Sequence, residues 1–478
     1  GTAPVLEQLA LDTTGWQARV VEFFHLLGTT QNLNHLRMHN VVPPDLRDAD
    51  KLELIGSAFD SASHTADIRR INKENGWHNI SNIGLFLWRI ESYRINKATA
   101  KRVIPGPDEG YTFSPIGQDL TLFNYPRTER HISHIAEEHN VPAILRRLPL
   151  YHELEQYREA IAQSKEDEFT QQLKYFGKNP VFRVSLNGNP IPAKEVLICN
   201  LSNWRVPDNT KTYPNADGVG TDLPISVAVD PVLGRITFPP GTSTEKVQVT
   251  YNFGFSADMG GGPYDRKDAV YEWYNAEERQ VSWQIGVTKD QETHTEAHQP
   301  ELLVETLKEA IEAWHTHIQE NPGTFGVIAM MDNDTYTENL TGADVIEIPE
   351  GSKLAIVAAD WPQKDDPENP GGKIRETGDF IPEELNTVID GNISIKGTAG
   401  FNDSNPRFTG NGWFAGQWKG YGTDRKPRSV AFLSLYCCPG KGGNPGEWQK
   451  QPVGPYPLLQ YFRSVENEQL GAWTMHFK

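Results

Sequence analysis

Histidines and carboxylates at metal-ligand spacing are the first places where this 478-residue chain could do chemistry. His294-Thr-Glu-Ala-His298 sets two imidazoles four residues apart, which a helix would bring to one face. The order is not that of a zinc protease, whose general-base glutamate follows the first histidine directly, and a zinc ion needs a third protein ligand. The segment reads as solvated connector. His315 and His317 flank the end of a predicted helix, where a cationic ring meets the negative end of the dipole, and His131 and His134 receive the same structural reading.

Oxygen donors alternate in Asp332-Asn-Asp334-Thr-Tyr-Thr-Glu338, as calcium loops require. The glycine at loop position six and the glutamate at twelve are missing, so a turn between β-elements is expected. Gly260-Gly-Gly262-Pro-Tyr-Asp-Arg266 is glycine-rich but lacks the lysine of a phosphate-binding loop, and reads as a tight turn. No GxSxG elbow occurs, and Cys437 and Cys438 are adjacent where a redox pair needs two residues between. Among 63 acids some pair will always look suggestive, and a groove beside Trp413, Phe414 or Trp418 would be where a glycosidase or lyase hides. The residues therefore predict no catalytic, cofactor-binding or metal-ligating set, and a protein that is not an enzyme.

The elements that would position such residues are read from period and punctuation. Apolar residues Val5, Leu6, Leu9, Val20, Val21, Phe24 and Leu27 predict two amphipathic helices across 4–35, interrupted at Thr14-Gly15. The run 85–95 predicts a buried strand and 111–123 a further β-segment after the Pro/Gly break at 105–110. Two short helices are expected within 128–164, bounded by Pro142 and Pro149. Alternation from Val181 onward, with a turn at Asn187-Gly188, predicts five or six strands up to Phe253. A helix at 302–318 precedes strands at 326–330, 345–348, 354–358, 393–396 and 430–436, which could stack as a β-helix.

These pieces predict a multidomain α+β protein: an N-terminal mixed α/β domain at 1–180, an antiparallel β module at 181–265, a connector at 266–300 and a helix-capped, β-rich domain at 301–478. A formal charge of −18 disfavours nucleic acid and acidic membrane surfaces as ligands. No apolar run reaches the roughly 18 residues of a membrane span, so membrane insertion is not expected. Three cysteines give no disulfide framework and point to a reducing compartment. The chain opens on Gly1 without a signal-like segment, and an upstream stretch is expected.

Several segments, taken in order, resemble the tail-protein-I-like baseplate proteins of extracellular contractile injection systems and related phage tail-like particles. They start with Gly1-Thr-Ala-Pro-Val-Leu-Glu-Gln-Leu-Ala, Thr14-Gly-Trp16 and Val21-Glu-Phe-Phe24. They continue through Asp45-Leu-Arg47, His64-Thr-Ala-Asp-Ile-Arg-Arg70 and, most clearly, Asn79-Ile-Ser-Asn-Ile-Gly-Leu-Phe-Leu-Trp-Arg89. Phe113-Ser-Pro-Ile-Gly117, Val229-Asp-Pro-Val-Leu-Gly-Arg235, Gly261-Gly-Pro-Tyr-Asp-Arg266 and Ala358-Ala-Asp-Trp-Pro362 extend the resemblance, which fades after about residue 400.

The resemblance implies a structural wedge component in many copies of a six-fold, hetero-oligomeric ring. Its implied partners are baseplate-J-like subunits, the hub and spike, and further the sheath and fibres, with assembly in the cytoplasm and the particle then released or membrane-associated. It implies no cofactor and no catalytic residue. Asn79, Ile80, Gly84, Phe86, Leu87, Trp88 and Arg89 are its key motif, as core or as interface. A carbohydrate-binding or -cleaving β-helix module carried on the baseplate, and an adaptor that anchors to a surface or membrane, are the competing expectations.

Overall fold

In a computed structural model of the chain, the described residues are 2–28, 45–71, 76–103, 109–115, 117–127, 134–255, 283–290 and, with short interruptions, 302–397. Beyond 397 only the backbones of five strands are described. The fold is mixed α+β, with few helices and several antiparallel sheets.

Helix α1 (Ala3–Thr14) starts at a proline suited to its first turn and stops at Gly15, whose φ of 74° lets its amide close back on Leu11. The second helix expected after Gly15 is instead strand β1 (Gln17–Glu22), followed by a 3₁₀ turn. Val20 and Val21 are β-branched, and alternate residues of this stretch find a pairing strand, which outweighs their helical spacing. That partner is β2 (Ile83–Trp88), antiparallel in the register Val20↔Leu85. A short helix, α2 (Ala49–Glu53), lies between them in sequence and is capped by Asp48.

The run read as one buried strand divides at residues 89–90. Strand β3 (Glu91–Thr99) leaves for a different sheet, and β2 keeps Ile83, Leu85 and Leu87 exposed. Strands β4 (Lys101–Arg102), β5 (Gly110–Thr112), β6 (Arg183–Leu186), β7 (Asn189–Pro190), β8 (Val196–Ile198), β11 (Val227–Asp230), β12 (Arg235–Thr237) and β13 (Val247–Phe255) complete two central sheets; β9 (Thr210–Pro214) and β10 (Gly220–Pro224) form a hairpin. The sheet orders are β3-β13-β6-β7 and β4-β5-β12-β11-β8, antiparallel except for β11 beside β8. Between residues 128 and 164 the described part holds one α-helix, α3 (Arg147–Ala162), and α4 (Glu166–Thr170) follows.

One apolar cluster fills this region and runs from Ile95 to Phe255, so its residues lie on both sides of the boundary read at 180. Phe113 meets Tyr251 and Phe182 edge-on at 5.5 and 5.7 Å, the geometry that ring quadrupoles favour. Helix α3 seals one flank with Leu150 and Leu154. Its fully buried Arg158 is satisfied by Tyr213 Oη at 2.6 Å, Val196 O at 2.6 Å and Glu155 at 2.7 Å. An unpaired cation there would not be tolerated.

The turn between β11 and β12 is built on Asp230, which has no solvent exposure. Arg147 clamps it with two bonds of 2.8 and 3.0 Å, while the amides of Leu201, Val232 and Leu233 donate at 2.9, 3.0 and 3.2 Å. Gly234 follows at φ +60°, and a Cβ there would lie 2.2 Å from Leu120 O, so no other residue fits. Arg235 then forks onto Asp119 at 2.7 and 2.8 Å and stacks over Trp204 at 4.4 Å. Each polar residue of the Asp-Pro-Val-Leu-Gly-Arg motif thus has a folding role.

In the C-terminal part, strand β14 (Trp283–Val287) lies inside the stretch 266–300 whose polarity predicts a connector. It pairs in parallel with β15 (Leu303–Val304) and β16 (Phe325–Met330), and β16 pairs in parallel with β19 (Lys353–Asp360). Two small pairings involve β17 (Thr335–Tyr336) and β18 (Ile346–Ile348). Helix α5 (Leu307–Glu320) crosses from β15 to β16 and buries Leu307, Ile311 and Trp314 on one sheet face. The other face carries Val327, Val357, Trp361 and Phe380. Burial on both faces is the requirement of a parallel sheet. The N-terminus of α5 is closed by a Thr306/Glu309 capping box and by Glu338, which accepts the amides of Leu307 and Lys308 at 2.9 and 2.7 Å.

Replacing Asp230 by Ala leaves the Arg147 charge and three amides facing a buried gap. The expected loss is about 3–5 kcal/mol of unfolding free energy, read from urea melts of the two proteins.

Candidate functional site

Helix α1 is packed inside out. Its buried positions are Ala3 and Glu7, one turn apart, while Val5, Leu6 and Leu9 are 46%, 36% and 59% exposed. Glu7 explains the inversion: one carboxylate oxygen accepts the Val20 amide at 2.7 Å and the other accepts the Ala136 amide at 2.9 Å. A helix that turns its acid inward and its leucines outward has an unfilled apolar face.

Strand β2 adds to that surface. Its alternation places Phe86 and Trp88 inward and Ile83, Leu85 and Leu87 outward, the last three 54%, 51% and 39% exposed. Phe86 meets Trp77 edge-on at 6.1 Å, and Trp88 lies 5.6 Å from Phe59. Gly84 is needed because a Cβ would press on the Phe23 and Phe86 rings at 3.0 Å. Arg89 sits 5.0 Å over the Trp16 ring. Asn79 donates to Asp67 O at 2.8 Å and shapes the turn into β2, leaving Ile80 69% exposed. The motif thus divides by side-chain direction: Asn79, Gly84, Phe86, Trp88 and Arg89 hold the module together, and Ile80 and Leu87 face outward. Beyond β1, β2 pairs with no strand among the described residues.

Under this sheet lies a polar cluster that the sequence reading did not assemble. Asp60 is buried, and its carboxylate accepts the amides of Gly56 and Ala62 at 2.9 and 2.8 Å and lies 2.8 Å from His64 Nε2. The His64 ring stacks on His78, centroids 3.7 Å apart and tilted by 18°. Phe23 closes the far side of His78 at 5.1 Å. Burial pushes the His78 imidazole below its ordinary range and the His64 ring adds to this, against the opposing charges of Asp60 and Asp67. Among the described residues, Asp60, His64 and His78 are the group of three whose ligand atoms all lie within 4.8 Å of one another. The signal in the sequence was Asp60 four residues before His64, with His78 directly ahead of the Asn79 motif.

The other candidates separate in space. His315 accepts the Glu347 amide at 3.0 Å, and His317 stacks on Trp283 at 5.8 Å, both as structural rings. Asp332 is half-buried and accepts from Thr288 Oγ1, the Lys289 and Asp334 amides and Tyr336 Oη at 2.7–3.1 Å, so its loop is a braced turn. Burial and the neighbouring Asp334 raise the Asp332 carboxyl above the usual range. His131, His294, His298, Gly260–262, Trp413, Cys437 and Cys438 lie outside the described residues, as do the side chains of Phe414 and Trp418. Among the described residues no helix is long and apolar enough to cross a membrane. No protein-family model, curated protein or solved structure matches the chain.

Cys199 is half-buried, and burial pushes its thiol up to about 11, with Asp230 adding to the effect. The raised value disfavours thiolate, so at pH 8 about a thousandth of the thiol is reactive. In a Cys437→Ser/Cys438→Ser background, alkylation of Cys199 by iodoacetamide at pH 8 should run far slower than that of a free cysteine and accelerate steadily up to pH 10. A rate matching free cysteine would contradict the assignment.

Proposed function

We propose that this chain is a structural component of the baseplate of a contractile, phage tail-like injection system, a wedge subunit that works by assembly and not by catalysis. The carrying observation is the inverted helix α1, with Val5, Leu6 and Leu9 turned outward beside a strand that turns Ile83, Leu85 and Leu87 outward. Exposed apolar surface of this kind belongs to a protein that is covered when it works, and large permanent interfaces are apolar at their centres. The ordered motifs from Gly1 to Pro362 that resemble tail-protein-I-like baseplate proteins support the same reading. The occupant of the face is a baseplate-J-like subunit, and the chain is present in several copies around the hub.

In this reading the protein is multidomain. The N-terminal module bears the interface, the two central sheets form a rigid body, and the C-terminal β-rich part reaches toward neighbours or fibres. A β-helix is not favoured there, because the parallel strands β14, β16 and β19 share one sheet with α5 laid across it.

Leu9→Glu and Leu85→Glu place charges on the exposed face without touching the core. Each should abolish co-purification with the baseplate-J-like subunit while leaving the melting temperature of the isolated protein within about 2 °C of the parent. A deletion strain should make sheath and tube but no organised particles. Normal contractile particles from that strain would overturn the proposal.

A further inference from the structure

The Asp60, His64 and His78 cluster plays no part in the proposed interface, and its residue types are those of a metal site. We propose that these three side chains bind a divalent transition-metal ion of the zinc class, with water in the fourth position. Two imidazoles and one carboxylate are the donor set of a three-protein-ligand zinc site, and a borderline ion prefers them to calcium or magnesium, which take oxygen donors.

Each ligand is anchored through its backbone. His64 donates its amide to Leu26 O and accepts the Gly28 amide, both at 2.8 Å, which ties it to the segment after β1. The His78 carbonyl accepts the Asp67 amide at 2.7 Å. Asp60 is oriented by the Gly56 and Ala62 amides, the hydrogen bonds that hold a carboxylate ligand in place. Around a tetrahedral ion with bonds of ~2.0–2.1 Å the ligand atoms sit about 3.3 Å apart, so the Asp60–His64 pair opens slightly from 2.8 Å while His78, within 4.8 Å of both, closes in. The His64 and His78 rings are stacked, so this closure is a turn of His78 about its side-chain bonds, with its backbone left in place. His64 Nε2 lies 2.8 Å from Asp60 Oδ2; the ion takes the place of the proton between them, which His64 then carries on Nδ1. Asp60 is buried and both rings are half-buried, so the site is shielded yet reachable from solvent.

The ion's role follows from what the ligands join. The stretches 54–71 and 76–82 contain no strand and little helix, and they carry the turn that launches β2. A small region of this kind gains stability from an ion that binds the folded form only.

The test uses the full chain, freed of metal by chelator and dialysis, with zinc chloride and cobalt chloride as probes. Zinc should raise the melting temperature of the N-terminal module. Cobalt should give the intense visible absorption of four-coordinate geometry. The His64→Gln/His78→Gln variant should hold one fewer ion per chain, and Asp60→Asn, which removes a ligand's charge, should weaken binding by more than the roughly 100-fold that loss of an outer partner costs. Equal zinc content in parent and double variant, or only the weak absorption of six-coordinate cobalt in the parent, would overturn the proposal. Should the double variant fail to fold, His78→Gln alone together with the parent's cobalt spectrum gives the decision.

Discussion

The carboxylate of Asp230 sits where the chain reverses between two central strands, shut away from water, with five donors converging on it from α3, the segment after β8 and its own turn. A buried charge is tolerated only when it is paired and its lone pairs are used, and here the partners come from three separate parts of the chain. The ion pair therefore fixes where α3 lies on the sheet, and farther along the same helix the buried Arg158 ties it to Tyr213 and the Val196 carbonyl. The apolar cluster between the sheets supplies the bulk of the stabilisation, but apolar contacts are non-directional. These two arginines set the arrangement in which that cluster is buried.

The N-terminal module follows the opposite rule. Glu7 and Arg19 are tied inward, Glu7 to the Val20 and Ala136 amides and Arg19 to the carbonyls of Ala58 and Ala136, with the guanidinium 4.8 Å from the Phe59 ring centroid. Polar side chains thus do the internal joining, and leucines and isoleucines are left for the outside. A monomer that needed only to fold would gain by exchanging the two.

Legibility in the sequence tracked how local the cause was. Helix α5 could be read because Thr306, Glu309 and the Leu307, Ile311, Trp314 spacing all lie within one stretch, and the end of α1 could be read from Gly15. The spacing of Val20, Val21, Phe24 and Leu27 is helical, and the partner that makes β1 a strand lies some sixty residues away at Leu85. The exposure of β2 left no trace in its pattern, since apolar residues occupy both faces and only α1 and the Trp77 segment decide which face is covered. The Asp60, His64 and His78 set is spread over positions 60 to 78, and the turns around Asp60 and His78 have no period to align it. Strand β14 was missed because a five-residue parallel strand between charged stretches gives no alternation.

Strand β3 begins two residues after the motif arginine and ends at Thr99, which bonds to the buried Asp334 of the C-terminal part at 2.8 Å. Gln248 and Lys246 reach the same carboxylate, and where Asn96 and Lys97 bulge opposite Thr250 they turn outward to Asn333 and Asp290. These nine residues, about 30 Å of chain clamped along one edge to β13 and bulged at Lys97, therefore form a tie rod whose ends are held by different parts of the protein. A pull on the apolar face travels along this rod as tension in covalent bonds and arrives at the Asp334 joint as shear across a few hydrogen bonds.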